Sequence, residues 1–520
     1  EVTRAKKKIK YNIFSFPVAS TFTPAKGKAA VVDKEDSAKI FDNYASLGVG
    51  TYTTILGEVY LNHAINTNES IGGYLSHHSS QGGIDGVLLD DGFSDSKINI
   101  NYSKNERELA WNVEAGFLHQ FYNWYGLPQP TFDQESANFI GDVGHAFYGL
   151  NLGGDITFEE TYINSGSLLF RHFGDDNGSA ENRFKAKFTF DIPINEKNIT
   201  TSLRLDYLGG NFDGDSSVTV DRAYGNFNIG ISPTYRLIQD DLTIDLGVSL
   251  FYLNDTEFGD NKIYIYPNIT ASYRLVDEIL IAYGGIQGDL IQNSYYDVAQ
   301  DNPFVTPNLL IKPTDQRYNF YAGLKGKLSN NMSYNFNGKY IAESDKVLFK
   351  NQYLDTNVAS NATYIYGNSF GLVYDNVSTF GISGEINADL NRNFTLGLMA
   401  EYFLYKADKQ AEVWNLPSFR GTLFLDYQIS NQWFAGVNLF YVSGRKDEFF
   451  IPRVIVPTSS IIVTLESYFD ANFHVGYHIN DRFSAFAKIN NIANQYYQRW
   501  QNYPVQGIQL LAGATYKFDF

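Results

Sequence analysis

Cysteine is absent from the 520 residues and methionine occurs only twice. The first absence excludes a disulfide framework, thiol catalysis and thiolate metal sites; it suits an exported bacterial protein without requiring export. No apolar run approaches the roughly 18 residues a membrane helix needs, and mean hydropathy is slightly negative at -0.26. A helical membrane protein is therefore excluded. Positive charge is also scarce: the net charge is -17 and the pI near 4.9, which argues against nucleic acid as a partner because phosphate binding needs a basic face. Residues 1–28 are the exception, with Arg4, Lys6, Lys7, Lys8, Lys10, Lys26 and Lys28 against Glu1 alone, a charge of +6 that leaves -23 for the rest. The opening "EVTRAKKKIKYNIF" has basic residues but no apolar core after them, so a secretion signal is expected to have been removed or never to have existed. HExxH, Gly-x-Ser-x-Gly and phosphate-loop motifs are all missing, and no nucleophile has an evident base. No enzyme is expected.

What is abundant is aromatic: 38 Tyr, 40 Phe and 5 Trp. Tyr and Trp favour positions with one apolar and one wet end. The chain closes on "LLAGATYKFDF", where Ile508, Leu510, Ala512, Ala514, Tyr516, Phe518 and Phe520 alternate with Gln509, Leu511, Gly513, Thr515, Lys517 and Asp519. This is a strand with one oily and one mostly polar face. Left unpaired at a terminus it would be a sticky edge, so it must be paired and covered.

The same alternation recurs in pairs joined by short polar turns. Around "SNN" at 329–331 stand Tyr318, Phe320, Ala322, Leu324 and then Met332, Tyr334, Phe336; "NRN" at 391–393 and "SNQ" at 430–432 are flanked in the same way. Ten such turns are expected, near residues 67, 105, 153, 196, 240, 277, 330, 392, 431 and 480. Their spacing leaves room for two strands and one longer loop each, and the long connections are polar and glycine-rich, as in "SSQGGIDGVLLDDGFSD" and "SGRKDEFFIPRVIVPTSS".

Short turns at one end and eleven long loops at the other imply about 22 strands in one sheet, and an even number of antiparallel strands can close. Closure would pair the last strand with "YASLGVGTY" at 44–52. Lipid offers no hydrogen bonds, so only a closed sheet can carry strands through a bilayer with its apolar face outward. The fold expected is an all-β transmembrane antiparallel barrel over residues 41–520, with short periplasmic turns, long extracellular loops and both termini in the periplasm. Residues 1–40 form a basic periplasmic or lumenal leader.

The terminal stretch "KINNIANQYYQRWQNYPVQGIQLLAGATYKFDF" resembles the end of TonB-dependent outer-membrane receptors, through Asn490, Asn491, Asn494, Tyr497, Tyr503, Pro504, Gly507 and Gly513. Ile508 stands where that family usually has Arg. The blend of "GGYLSHHSSQGG" with aromatic strands is similar to receptors of the Bacteroidota. The resemblance implies a bacterial outer-membrane barrel contacting lipid, with Tyr516, Phe518 and Phe520 as the signal read by the outer-membrane assembly machinery. Forty residues before the first strand cannot make the family's plug. The implied function is transport of a large solute with a plug supplied elsewhere; the alternative is a plugless, non-transporting structural or assembly subunit of a multiprotein outer-membrane machine. Partners would be a surface or periplasmic lipoprotein, or other subunits of such a complex.

Further candidates come from the residues. Lys6, Lys7, Lys8 and Lys10 either dock a partner or occlude an acidic lumen, or belong to a plain leader. Acidic loop clusters, chiefly Asp175, Asp176 and Glu181 beside Asn177, and also Asp85, Asp90, Asp91, Asp95 and Asp213, Asp215, Asp221, offer Ca²⁺-type oxygen ligands or simply solvated loops, and no cofactor is otherwise expected. His474 and His478 share the polar face of one strand at about 13 Å, too far to share a metal. The aromatic loops "FYNWYGLPQP" and "YYQRWQNYP" either stack on a sugar or protein partner or cap the barrel and cover each other.

Overall fold

The computed structural model describes residues 41–520 apart from 130, 160, 195–196, 214–221, 258, 353–361, 392 and 452–458. Every barrel strand pairs antiparallel with its sequence neighbour, and the ring closes where the first strand, Asn43–Gly50, meets the last, Gln509–Phe518. The sheet has 22 strands. Register at the seam runs from Asn43 opposite Phe518 to Gly50 opposite Leu511. The hydroxyls of Ser46 and Thr515 lie 2.9 Å apart on the inner side. On the outer side Leu47, Val49, Leu510 and Tyr516 are exposed. The alternation read in the last strand is thus the division between a wet interior and an apolar exterior.

That division holds around the ring: Ile98, Ile100, Phe117, Leu152, Ile231, Leu250, Ile265, Phe320, Phe380, Leu404 and Tyr441 all present apolar surface outward. So much exposed apolar area makes sense only against lipid. Tyr44 lies opposite both Tyr60 and Lys517, which sets the beginning and end of the barrel beside the first short turn, after Ala64.

Seven of the ten expected turns fall where the sequence puts them, and those near 196 and 392 centre on residues outside the described ones, between strands that end at Ile194 and Asn391 and resume at Lys197 and Phe394. The turn expected near 153 is not found there, because the strand Gly144–Phe158 runs straight through it and the connection lies beyond Phe158. Gly153 and Gly154 are wall residues opposite Glu114 and Val113. A side chain at 153 would press on the Glu114 carboxylate, with Cβ 3.0 Å from its Oε1. At the opposite end the eleven connections are not all long: the first is only the 3-10 turn Thr51–Thr53. The wall is also uneven, with 22 residues in the strand Phe370–Asn391 and 8 in Asn43–Gly50.

Candidate functional site: the loop core at the mouth of the barrel

The loops at the end opposite the short turns fold inward. Segments 124–143, 292–313, 362–369 and 491–508 bring Trp124, Leu127, Ile140, Tyr295, Val298, Phe304, Leu309, Ile365 and Tyr503 together, and these pack on Tyr122, Phe147, Phe173, Leu208, Phe212 and Tyr224 from the inner wall. Phe147, Phe173, Phe212, Tyr295 and Tyr503 are each at most 1% exposed. This apolar core ties the four loops to one another and to the inner wall at that end of the barrel.

The helix Tyr295–Asp301 is the centrepiece. Ser294 caps it, its hydroxyl accepting from the Asp297 amide at 3.1 Å. A Ser-x-x-Asp spacing is the ordinary signature of such a start. The wall then grips the helix. Glu181, fully buried, accepts from the Tyr224 hydroxyl at 2.7 Å and the Tyr295 amide at 2.5 Å. Asp175 accepts from the Tyr295 hydroxyl at 2.6 Å and from the amides of Ser179 and Asn177. Arg183 donates to both oxygens of Asp206 and, at 3.1 Å, to Asp297. The Arg171 guanidinium lies 3.7 Å from the centre of the Tyr296 ring. Buried charges held like this are strongly destabilising when one partner is removed.

The two aromatic loops cover each other. Tyr125 meets Tyr503 edge to face at 4.7 Å, and its hydroxyl donates to the Pro504 carbonyl at 3.0 Å. Tyr503 stacks on Phe304 at 3.8 Å and donates to the Asn368 carbonyl. Gly126 makes this possible, since a Cβ there would fall 2.2 Å from the Tyr503 ring. His145 stacks on Trp124 at 3.9 Å, and its Nε2–H donates to the Pro303 carbonyl. Beside this cluster a cavity of about 30 Å³, lined by Tyr122, Phe304, Arg499 and Tyr503, has room for water, and an open one of about 390 Å³, lined by Ser80, Phe121 and Asn123, shares its wall at Phe93.

Among the sequence candidates, Asp175 and Glu181 are brought together by Tyr295 as acceptors, while Asp176 stays apart and binds the Asn177 amide group. Among the described residues no three acidic or imidazole groups converge as a metal site would require. Asp91 accepts from the amides of Gly83 and Ile84, and Asp95 pairs with Lys97. Asp215 and Asp221, like Lys6, Lys7, Lys8 and Lys10, lie outside the described residues. His474 and His478 are on the inner face, His478 beside the Ser484 hydroxyl at 2.7 Å. Tyr516 and Phe518 stack at 5.8 Å, and Phe520 is 77% exposed at the terminus. Arg171, Arg183 and Tyr295 were not flagged by sequence, although Ser294-x-x-Asp297 in the loop could have announced a helix.

No family model and no curated protein matches this chain. Solved structures do. The ferripyoverdine receptor of the outer membrane of Pseudomonas aeruginosa, bound to ferripyoverdine, superposes with TM-score 0.65 at 14% identity, covering 93% of this chain and 72% of that one. The siderophore receptor PirA from Acinetobacter baumannii gives 0.64 at 13%, covering 92% and 80%. The FrpB iron transporter from Neisseria meningitidis gives 0.67 at 10%, covering 92% and 82%. The chain is similar to these in fold, a closed antiparallel barrel of 22 strands. The named neighbours are transport receptors rather than enzymes.

Proposed function

We propose that the chain serves in the bacterial outer membrane as a sealed barrel, a structural or assembly subunit of a larger outer-membrane complex, with its turns and termini in the periplasm and its mouth at the cell surface. The observation that carries this reading is the cap. Opening it would expose Phe147, Phe173, Phe212, Tyr295 and Tyr503 and break the bonds to Glu181 and Asp175. At about 2 kcal/mol for each large apolar side chain, that costs on the order of 10 kcal/mol before the hydrogen bonds are counted. Thermal motion does not open such a lid. The barrel then offers wall, rim and loops as docking surface, with lipoproteins or other barrels as partners, and the basic segment with Lys6, Lys7, Lys8 and Lys10 as a further contact. No catalytic or cofactor role is assigned.

The second reading, transport of a large solute with a plug supplied elsewhere, is favoured by the likeness to siderophore receptors. It requires a partner that forces the cap open.

The test is extraction of the chain in mild detergent from its native locus, with partner stoichiometry recorded, beside conductance of the purified barrel in planar bilayers. A stoichiometric assembly and a silent barrel support the first reading. Recovery alone or with a plug or solute-capturing lipoprotein, together with a growth defect on one class of solute, rejects it in favour of the second.

A further inference from the structure

Beneath the cap, on the side of the short strands, three arginines gather with no carboxylate in ion-pair contact among the described residues. Arg420 stands on the inner face of its strand in one row with Val442 and Tyr468 of the next two. Arg445 rises just beyond, at the base of the hairpin formed by Arg445–Ile451 and Ser459–Leu465, its guanidinium 5.6 Å from the Tyr468 ring. Tyr497 stacks on Tyr468 at 3.9 Å, and two residues on comes Arg499. Arg445 joins the two loops by donating to the carbonyls of Gln498 and Arg499.

What these groups lack is an anion. Arg445 is buried, its two terminal nitrogens face neutral carbonyls, and its Nε is buried with no acceptor. The side chains of Arg420 and Arg499 form no hydrogen bond or ion pair among the described residues. A buried guanidinium held only by neutral carbonyls leaves a charge that an oxyanion would satisfy. Burial pushes Arg445 and Arg499 below the ordinary arginine range, and each is lowered further by a neighbouring arginine: Arg445 by Arg420, and Arg499 by Arg445. Glu401 stands opposite Arg420 in register without an ion pair to it, and the other acids nearby are mostly engaged elsewhere. Asp447 binds Asn415 and the amides of Asn351 and Glu448, Asp470 accepts from the Tyr497 hydroxyl, and Asp301, at the end of the cap helix, forms no ion pair among the described residues while lying in the field of Arg420 and Arg499.

We propose that Arg420, Arg445 and Arg499, floored by Tyr468 and Tyr497, form a binding site for a small polyvalent oxyanion of the phosphate or polycarboxylate class, reached from the water of the lumen. Planar guanidinium groups suit such ligands because they donate in parallel pairs. The site does not depend on whether the barrel conducts.

The test is thermal unfolding of the full chain in detergent, titrated with sodium phosphate and with citrate against sodium chloride of equal ionic strength. The midpoint is expected to rise by several degrees in the unaltered protein and by less than half as much in Arg420→Gln and Arg499→Gln. Both arginines lack side-chain bonds, so neither change should unfold the protein. Arg236→Gln, which removes a pair with Asp245 near the turn end, should keep the full response. Asp301→Asn, by removing a competing negative charge, should respond at several-fold lower anion concentration. An unaltered protein indifferent to both anions, a full response in the Arg420 and Arg499 variants, or a weaker response in Asp301→Asn would each overturn the proposal.

Discussion

Asp426 and His474 stand on strands that are not neighbours, yet carboxylate and imidazole approach to 3.7 Å across the strand between them. The residue they cross is Gly436, paired with Asp426 on one side and His474 on the other. A Cβ there would lie 2.1 Å from His474 Cε1 and 2.4 Å from Asp426 Oδ1. Gly436→Ala is expected to cost about 1–3 kcal/mol by forcing the ring aside. In a His474→Ala background the same change should cost clearly less, since the obstructing ring is gone. A double-mutant cycle in urea measures the difference, and strictly additive losses would refute the steric account.

Glu181 is the anchor of the cap. Glu181→Ala leaves the Tyr224 hydroxyl and the Tyr295 amide buried without an acceptor, at about 1–3 kcal/mol each. Because the chain has no cysteine of its own, Ala299→Cys is a clean probe of the buried helix. Maleimide should fail to label it in the parent and label it readily once Glu181 is replaced. Equal labelling in the two would show that the cap is held by other means.

Asp447 makes the hairpin base sensitive to pH. Burial pushes its carboxyl up from 3.8 to about 6. A group whose native pKa lies above its unfolded value binds more protons when folded, so its neutral form favours the anchored hairpin and that advantage disappears as pH rises from about 4 through 6. The shift corresponds to about 3 kcal/mol. Hydrogen exchange of the amides in Arg445–Ile451 should be slower at pH 5 than at pH 7.5 after correction for intrinsic rates. Asp447→Asn should remove that difference.

The terminal aromatics are expected to bear on assembly more than on stability. Among the described residues the Phe520 ring meets Phe518 at 5.6 Å and His63 at 6.1 Å, both edge to face. Phe520→Ala is expected to lower the folded amount in the outer membrane several-fold while leaving the urea midpoint of detergent-refolded protein within error. A matching fall in both quantities would make Phe520 an ordinary structural residue.

Most of the barrel is legible from sequence because a half-buried strand writes its two faces into alternate residues. Ile508 through Phe520 show this, as do the turns at 330 and 431. The strand Gly144–Phe158 is misread because two adjacent glycines look the same in a turn and in a wall that must make room for Glu114. The cap is legible only in part: the sequence offers the mutual cover of the loops holding Tyr125 and Tyr503 as one of two readings, but not their shared core with Phe304 and the helix at Tyr295. Tyr125, Phe304 and Tyr503 belong to loops far apart in the chain, and each loop alone is a polar, glycine-rich or proline-rich segment whose aromatics gain meaning only when stacked. Asp175 and Glu181 illustrate the same gap, since clustered carboxylates read alike whether they await a cation or a tyrosine.

The hydroxyls of Ser46 and Thr515, which touch at the seam, are 469 positions apart in the chain. A ring joined there cannot close before the strand Gln509–Phe518 has been made. Until that strand is in place the sheet would have two bare margins, and each is a template for the wrong neighbour. Its vulnerability is therefore a matter of timing: a mutation that leaves the finished ring untouched can still be ruinous by lengthening the interval before the last strand arrives.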